Sequence, residues 1–234
     1  MPAEGLEPSL GLVPCVPGPA VIAHGGGNSP ERARHDILAG ADLLEVDVWV
    51  HGRRLEARHE RALYPLPLFF EKWYIRFAPR RPFGLIELLT ETAGSTPVFL
   101  DLKNGRGLAA RLMREALNAV GPGERVLVSS QLWHVLREIQ ELVPEIETYY
   151  SIDVPPKLAL FLSVDGREHE AHGVSCQERL LTERVVCELK RRRLRVVAWT
   201  VDDLERAKQL LSWGVDAITT HRVADVRSLV EATR

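Results

Sequence analysis

The sequence predicts an α/β protein in which strands alternate with helices. The chain has 234 residues, close to the roughly 250 of a single α/β barrel. Eight apolar, strand-like runs are separated for the most part by segments with helical periodicity, which is the pattern of a parallel sheet. Acidic residues on separate strands would share one interior if that sheet closed. These observations favour a (β/α)8 TIM barrel over an open, doubly wound sheet.

The elements follow one another along the chain. Residues 1–19 contain five prolines and little pattern, so we interpret them as an irregular extension before a barrel of residues 20–234. The strand-like runs are short and apolar, and they cover residues 20–24, 43–50, 97–103, 125–130, 147–152, 172–176, 195–201 and 215–220. The helical patterns cover residues 29–39, 84–93, 108–120, 132–142, 178–190 and 204–213.

An aromatic-rich insertion, about residues 61–83, interrupts this rhythm after the second strand. The stretch 64–83 holds seven of the chain's fifteen aromatic residues and four basic residues. Because loops after barrel strands lie at the catalytic mouth, the insertion is expected there. Two interpretations stay open. It is either a loop with a short helix that caps the barrel and buries its own aromatics, or a lid that recognises an apolar leaving group or makes peripheral contact with a membrane.

Composition argues against several classes of protein. A formal net charge of −2 disfavours a general nucleic-acid binder. Cys15, Cys176 and Cys187 lack metal-finger spacing and are interpreted as idle thiols in a reducing compartment. No stretch approaches the ~20 apolar residues of a transmembrane helix, and the first residues lack the features of a secretory signal. A cytoplasmic location is therefore expected.

Two acidic residues lie within an apolar, strand-like stretch at 43–49, Leu-Leu-Glu-Val-Asp-Val-Trp. Successive strand side chains point to opposite faces, so Glu45 and Asp47 share one face. Two buried carboxylates without a counter-charge would cost several kcal/mol or force a proton onto one of them. A divalent cation would remove that cost.

Polar residues also mark the ends of two other strands. Asp101 and Lys103 share one face of the strand at 97–103, and His24 ends the first strand, just before three glycines. His59 follows soon after the second strand. In parallel α/β proteins the carboxyl ends of the strands and the loops after them build the active site. We therefore expect these side chains to lie close together.

These residues resemble the glycerophosphodiester phosphodiesterases. Val-Ile-Ala-His-Gly-Gly around His24 is similar to the family's His-Arg-Gly motif, and residues 40–48 are similar to Gly-Ala-Asp-x-Ile-Glu-x-Asp-Val. His59-Glu60 resembles a His-Asp pair, and the strand at 99–103 looks like Ile-Glu-x-Lys. Later motifs of the family also fit, at 197–202 and 214–220. The resemblance covers roughly residues 20 to 225 in the right order.

The resemblance implies a barrel enzyme that binds one divalent cation, Mg²⁺ or Ca²⁺. The site residues it implies are the metal ligands Glu45, Asp47 and Asp101, the acid/base pair His24 and His59, and the phosphate-binding Lys103. Carboxylate oxygens are ligands that both cations prefer. Neither the spacing of the cysteines nor any cluster of histidines in the sequence indicates zinc. Trp199 is expected to lie partly in the core and partly in the pocket wall, where it would contact substrate.

Three positions depart from the family pattern. Gly25 stands where the family has an arginine beside the first histidine, and Arg58 is a doubtful substitute because strand parity points it away from the His59 face. Asp101 replaces the usual glutamate. An aspartate at this position also resembles the related sphingomyelinase D-like phospholipases D of spider toxins. His221 stands where the family often has aspartate after threonine.

The resemblance implies hydrolysis of glycerophosphodiesters to glycerol 3-phosphate and an alcohol. The glycerol 2-hydroxyl would attack phosphorus, and water would then open the resulting cyclic phosphate. A lysophospholipase D-type hydrolase acting on lysophospholipids is an alternative, suggested by the aromatic insertion and Asp101. A catalytically silent barrel that binds a phosphorylated ligand is another, suggested by the lost arginine.

Overall fold

The computed structural model describes residues 18–63, 65–92, 95–105, 107–121, 125–164 and 171–232. Within these ranges the strands are β1 (Ala20–Ala23), β2 (Leu43–His51), β3 (Arg54–Ala57), β4 (Arg61–Ala62), β5 (Leu68–Glu71), β6 (Tyr74–Phe77), β7 (Val98–Leu102), β8 (Val126–Ser130), β9 (Glu147–Ile152), β10 (Gly173–Gln177), β11 (Arg195–Trp199) and β12 (Ala217–Thr220). The first 17 residues of the expected extension and Tyr64 of the insertion lie outside the described ranges.

Strands β1, β2 and β7 to β12 form a closed parallel barrel. Strand β1 pairs with β12 on one side and with β2 on the other, which closes the barrel. The predicted barrel is therefore confirmed, and each of the predicted strand runs overlaps one of these strands. The register places Asp47 of β2 directly opposite Asp101 of β7.

Helices cover the outside of the barrel. They are α1 (Pro30–Leu38), α2 (Leu85–Glu91), α3 (Ala109–Val120), α4 (Trp133–Leu142), α5 (Pro155–Ser163), α6 (Glu183–Arg191), α7 (Leu204–Ser212) and α8 (Val223–Ala232). In the described ranges, no helix is both long enough and apolar enough to cross a bilayer.

The sequence prediction missed α5 and α8, and it placed the start of α6 too early. The predicted helix over 178–190 is instead a short 3₁₀ turn at Glu178–Leu180 followed by α6. The side chain of Thr182 accepts a hydrogen bond from the backbone N–H of Val185. This N-cap satisfies a donor of the first helical turn and fixes the start of α6 at Glu183.

The apolar core has two parts. The larger part lies between the barrel and the helices, where residues such as Val46 and Leu100 pack against Leu88 of α2. The smaller part fills the amino-terminal half of the barrel interior with Ala20, Ile22, Leu43, Phe99, Leu127, Tyr149, Val197 and Ala217. Because side chains alternate along a strand, the next inward positions after Leu43 are Glu45 and Asp47. The carboxylates therefore form a polar layer above an apolar plug.

The insertion forms an antiparallel sheet of β4, β5 and β6. The expected loop with a short helix is wrong, because strands form in the described residues of the insertion, and the expected burial of its own aromatics is only partial. Cross-strand pairs such as Phe69–Arg76 and Phe70–Ile75 hold the hairpin together, and they divide its side chains between two faces. Phe69 is buried, whereas Trp73 and Phe77 are exposed.

Candidate active site

Three carboxylates meet at the carboxyl-terminal end of the barrel. Glu45 and Asp47 project inward from β2, and Asp101 projects inward from the adjacent β7. Each offers one oxygen, and these oxygens all lie within 4.8 Å of one another. Glu45 and Asp47 are buried, while Asp101 is half-buried. The alternation seen in the sequence thus brings the predicted ligand set together.

Lys103 joins this cluster from the end of β7. Its Nζ lies 2.6 Å from Oδ1 of Asp47 and also donates to Asp101. Burial by itself would lower the pKa of Lys103, but the carboxylates of Asp101 and Asp47 outweigh burial and raise it. The ammonium group is therefore charged at neutral pH and sits beside the predicted ligands.

The cluster has more negative than positive charge, which fits a cation. Burial raises the pKa of Glu45 well above its usual range, and the charges of Asp47 and Asp101 raise it further. Lys103 and the N–H of Gly25, which donates to Oε2 of Glu45 at 2.6 Å, only partly offset this effect. Three carboxylates of this kind are a donor set suited to Mg²⁺ or Ca²⁺.

The loop after β1 packs tightly against β2 beside the site. Gly25 has a φ of +64°, and a Cβ on Gly27 would lie 2.7 Å from the Cβ of Val46. The next residue, Asn28, donates from Nδ2 to Oδ2 of Asp47 at 3.0 Å and accepts from the Asp47 backbone N–H at 3.0 Å. Asn28 thereby fixes the Asp47 carboxylate. Asn28 was not among the predicted site residues, although it follows directly after the glycines that end the first strand.

His24 follows β1 and lies between the loops after β11 and β12. Its Nδ1 lies 3.0 Å from Oγ1 of Thr200, and its ring centroid lies 4.5 Å from that of His221. Burial lowers the pKa of His24 to about 4, with a further contribution from His221 that outweighs the opposing effect of Asp47. The ring is therefore neutral at neutral pH and able to accept a proton.

Asp202 holds His221 in place. Its carboxylate accepts from Nδ1 and from the backbone N–H of His221, both at 2.8 Å, and from Oγ1 of Thr220 at 3.0 Å. Burial opposes ionisation of Asp202, but these hydrogen bonds lower its pKa. From the sequence, His221 is a departure from the family pattern with no assigned role. The structure places its ring on His24.

His59 follows β3 and is exposed at the mouth of the barrel. Its Nδ1 lies 3.1 Å from Oε1 of Glu71 on strand β5 of the insertion. A carboxylate at this nitrogen keeps a proton on Nδ1, which leaves Nε2 for a substrate. Glu71 was not among the predicted site residues, because nothing in the local pattern of the insertion marks it.

Two connected cavities lie above the carboxylates. The inner cavity has a volume of about 240 Å³, and all seven predicted site residues line it: His24, Glu45, Asp47, His59, Asp101, Lys103 and Trp199. The outer cavity, of about 500 Å³, lies between the barrel and the insertion and is lined in part by Trp49, Arg61 and Phe70. His59, Asp101, Lys103 and Gln131 line both cavities.

Trp199 lines the inner cavity. Its indole Nε1 is buried and has no hydrogen-bond partner among the described residues. An unpaired buried N–H group is costly unless a ligand or water satisfies it. The position fits the expected pocket wall.

Two sequence comparisons connect the chain with one family. A model of the glycerophosphoryl diester phosphodiesterase family matches residues 101–225. The glycerophosphodiester phosphodiesterase GDPD4 of Arabidopsis thaliana is 33% identical over 245 residues, which cover 92% of this chain and 74% of that protein. This chain belongs to the glycerophosphoryl diester phosphodiesterase family.

Solved structures share the barrel of this phosphodiesterase. A glycerophosphodiester phosphodiesterase from Parabacteroides distasonis superposes with a TM-score of 0.73 at 19% identity, covering 92% of this chain and 98% of the other. An Oleispira antarctica phosphodiesterase in complex with the product sn-glycerol-3-phosphate gives a TM-score of 0.72 at 21% identity, covering 92% and 97%. At such identities the likeness concerns the fold alone.

The arginine that glycerophosphodiester phosphodiesterases carry at Gly25 is not replaced by Arg58. Arg58 is buried, and its Nε donates to Oε2 of Glu56 at 2.8 Å. Its guanidinium also lies over the ring of Phe69, 4.7 Å from the centroid. These contacts hold Arg58 away from the inner cavity, as the strand parity predicted. Lys103 is the only Lys or Arg among the described residues that line the inner cavity.

Proposed function

We propose that this enzyme hydrolyses glycerophosphodiesters to glycerol 3-phosphate and an alcohol, with one divalent cation and a pair of histidines. One observation carries the proposal: three clustered carboxylates, a lysine and two histidines line a single cavity of about 240 Å³. Phosphoryl transfer depends mainly on positioning and charge stabilisation, which such a set supplies. The proposal agrees with the reaction named for the family.

Glu45, Asp47 and Asp101 would hold Mg²⁺ or Ca²⁺. When bound, the cation would supply positive charge beside the phosphodiester anion. Lys103 adds a second positive charge from its position between Asp47 and Asp101. Asn28 keeps the Asp47 carboxylate in place through its two hydrogen bonds.

The two histidines move protons in a two-step reaction. The glycerol 2-hydroxyl attacks phosphorus, and its proton passes to the neutral ring of His24. The bond to the leaving oxygen breaks as protonated His59 donates to that oxygen, which releases the alcohol and leaves a cyclic phosphate. His59 then takes a proton from water, whose oxygen opens the ring at phosphorus, while His24 returns its proton to the 2-oxygen.

A product assay tests this proposal. Glycerophosphocholine and glycerophosphoethanolamine are supplied, and glycerol 3-phosphate is measured with a coupled dehydrogenase, before and after treatment with EDTA. We expect product that disappears with EDTA and returns with Mg²⁺ or Ca²⁺. Turnover that survives EDTA would contradict the cation, and the absence of product from every substrate would contradict the reaction. A 2-deoxyglycerol analogue lacks the attacking hydroxyl and should be inert.

A lysophospholipase D-type activity is a second candidate, favoured by the outer cavity. Its volume of about 500 Å³ and the apolar groups of Trp49, Phe70 and Leu132 would accommodate part of an acyl chain next to Lys103. Replacing Phe70 with serine should then lower kcat/KM for lysophosphatidylcholine at least ~10-fold more than for glycerophosphocholine. Equal losses would contradict this candidate. Metal-dependent turnover of either substrate would exclude a catalytically silent barrel.

A further inference from the structure

One face of the insertion sheet is largely apolar and partly exposed. Strand pairing places Phe70 beside Ile75 and Leu68 beside Phe77 on this face, with Arg61 of β4 on the other side of Phe70. Ile75 is 65% exposed and Phe77 is 78% exposed, and Trp73, in the connection between β5 and β6, is 84% exposed. We call the five apolar residues the outer face. Large apolar side chains rarely cluster on a surface without a binding role.

The opposite face of the same sheet anchors it to the barrel. Phe69 is buried there, and the guanidinium of Arg76 lies 5.4 Å from its ring centroid. Nε of Arg76 donates to Oε1 of Glu60 at 2.6 Å, and the hydroxyl of Tyr74 donates to the same oxygen at 3.1 Å. These contacts hold the sheet through this face.

The rim of the outer face is basic. The sequence from 72 to 83 contains four basic residues and no acidic residue. Arg76 is used on the anchoring face, whereas Lys72, Arg80 and Arg81 are exposed, and Arg81 also lies 3.4 Å from Oε1 of Glu87. The ammonium group of Lys72 lies 5.3 Å from the ring centroid of Trp73. Aromatic and basic side chains in this combination match the interface of an anionic bilayer.

The outer face is continuous with the active site. Phe70 belongs to it and also lines the outer cavity, together with Lys72. The same cavity reaches Asp101, Lys103 and His59. A surface that covered the outer face would therefore lie directly at the entrance to the carboxylate cluster.

We propose that the outer face of the insertion sheet docks on the surface of an anionic phospholipid bilayer. Trp73, Ile75 and Phe77 enter the boundary between headgroups and acyl chains, while Lys72, Arg80 and Arg81 contact lipid phosphates. Docking points the outer cavity at the lipid layer. In that position the enzyme would take diesters from the lipid layer. This consequence rests on the proposed function, but the docking itself is independent of it.

A second copy of the chain fits this surface less well. A two-fold dimer places the same patch of both subunits face to face. The basic rim of one copy would then meet the basic rim of the other, and like charges brought together across an interface cost several kcal/mol. An anionic lipid layer complements both the apolar centre and the charged rim.

Vesicle co-sedimentation tests the proposal with the full chain. The vesicles are phosphatidylcholine alone or phosphatidylcholine with about one third phosphatidylglycerol. We expect at least ~10-fold tighter binding to the anionic vesicles, and weaker binding in about 0.5 M salt. The apolar variant carries Trp73→Ser, Ile75→Ser and Phe77→Ser, and its control carries Leu38→Ser, Leu142→Ser and Leu160→Ser, which are also exposed.

A second variant of the insertion tests the basic residues. It carries Lys72→Gln, Arg80→Gln and Arg81→Gln, and its control carries Arg137→Gln, Arg184→Gln and Lys208→Gln, exposed residues of helices outside the insertion. We expect both insertion variants to bind anionic vesicles at least ~10-fold more weakly and both controls to bind like the wild type.

Three results would overturn the proposal. They are wild-type binding that is equal on both kinds of vesicle, an apolar variant that binds like its control, and a wild-type dimer, seen by analytical ultracentrifugation, that the apolar variant dissociates. Hydrolysis of glycerophosphocholine in solution is measured on the same samples. Docking without any hydrolysis would contradict the proposed function alone, and hydrolysis without docking would contradict this inference alone.

Discussion

The rings of His24 and His221 lie with their centroids 4.5 Å apart and their planes inclined at 47°. Thr200 contacts Nδ1 of His24, and Asp202 binds His221 through the ring and the backbone. Residues from the loops after β11 and β12 thus hold the ring of His24 in one orientation. A general base must keep such an orientation relative to its substrate, so His221 is expected to act as a positioning residue.

Replacing His221 with alanine removes the ring that packs on His24. We expect kcat to fall roughly tenfold, equivalent to about 1.4 kcal/mol of transition-state stabilisation. His221→Phe keeps a ring at this position and should retain most of kcat. An alanine variant with the kcat of the wild type would show that the contact between the rings is incidental.

The pH dependence of kcat distinguishes the two effects of His221 on His24, which are the packing of its ring and its influence on the pKa of His24. Burial and the neighbouring His221 lower the pKa of His24 to about 4, so His24 is protonated only in acid. Loss of His221 should raise this pKa and move the acid limb of the kcat profile to higher pH. The limb should move in both His221→Ala and His221→Phe. An unchanged limb in both would contradict the role of His24 as the proton acceptor.

The variants Glu45→Gln and Asp47→Asn should each lose cation binding and activity while remaining folded. Each change removes one negative charge from the carboxylate cluster but keeps the volume of the side chain. Calorimetric titration with Mg²⁺ or Ca²⁺ measures the affinity. Glu147→Gln, at the amino-terminal end of β9, serves as a control for the loss of a carboxylate outside the cluster. Unchanged affinity in both cluster variants would contradict the metal assignment.

The variants His24→Ala and His59→Ala should each lower kcat by at least ~10², the usual scale for the loss of a general acid or base. KM should change little, because binding of the phosphate is assigned to Lys103 and the cation. Steady-state kinetics with glycerophosphocholine provide both values. Glu71→Gln should reproduce a smaller part of the His59→Ala loss, since Glu71 only holds Nδ1 of His59. A near wild-type kcat would remove that histidine from the mechanism.

The two faces of the insertion sheet should differ in their effect on stability. Phe69 is 3% exposed and packs beside Arg58 and Arg76, so Phe69→Ala should cost about 3 kcal/mol of unfolding free energy. Trp73 is 84% exposed, so Trp73→Ala should change it by no more than about 0.5 kcal/mol. Urea denaturation measures both. A large loss for Trp73→Ala would mean that the outer face packs within the chain.

Local patterns in the sequence predicted much of the fold. The alternation around Glu45 and Asp47 predicted an inward-facing pair, and the structure places this pair inside the barrel. Helix boundaries were less accurate where a cap decides them, as at Thr182. The insertion was misjudged because aromatic content alone does not distinguish a helix from a hairpin, whereas the pairing of Phe70 with Ile75 does.

The sequence by itself determined the barrel and the inward-facing pair of Glu45 and Asp47, because period-two alternation is a property of neighbouring residues and needs no knowledge of the rest of the fold. Only the tertiary structure decided which residues hold the site in place. Thr200 contacts His24 across 176 positions of sequence, and Asn28 reaches Asp47 across 19. Such contacts follow from the closure of the barrel, which brings the loops after β1, β2, β11 and β12 to one mouth, and no local pattern records them.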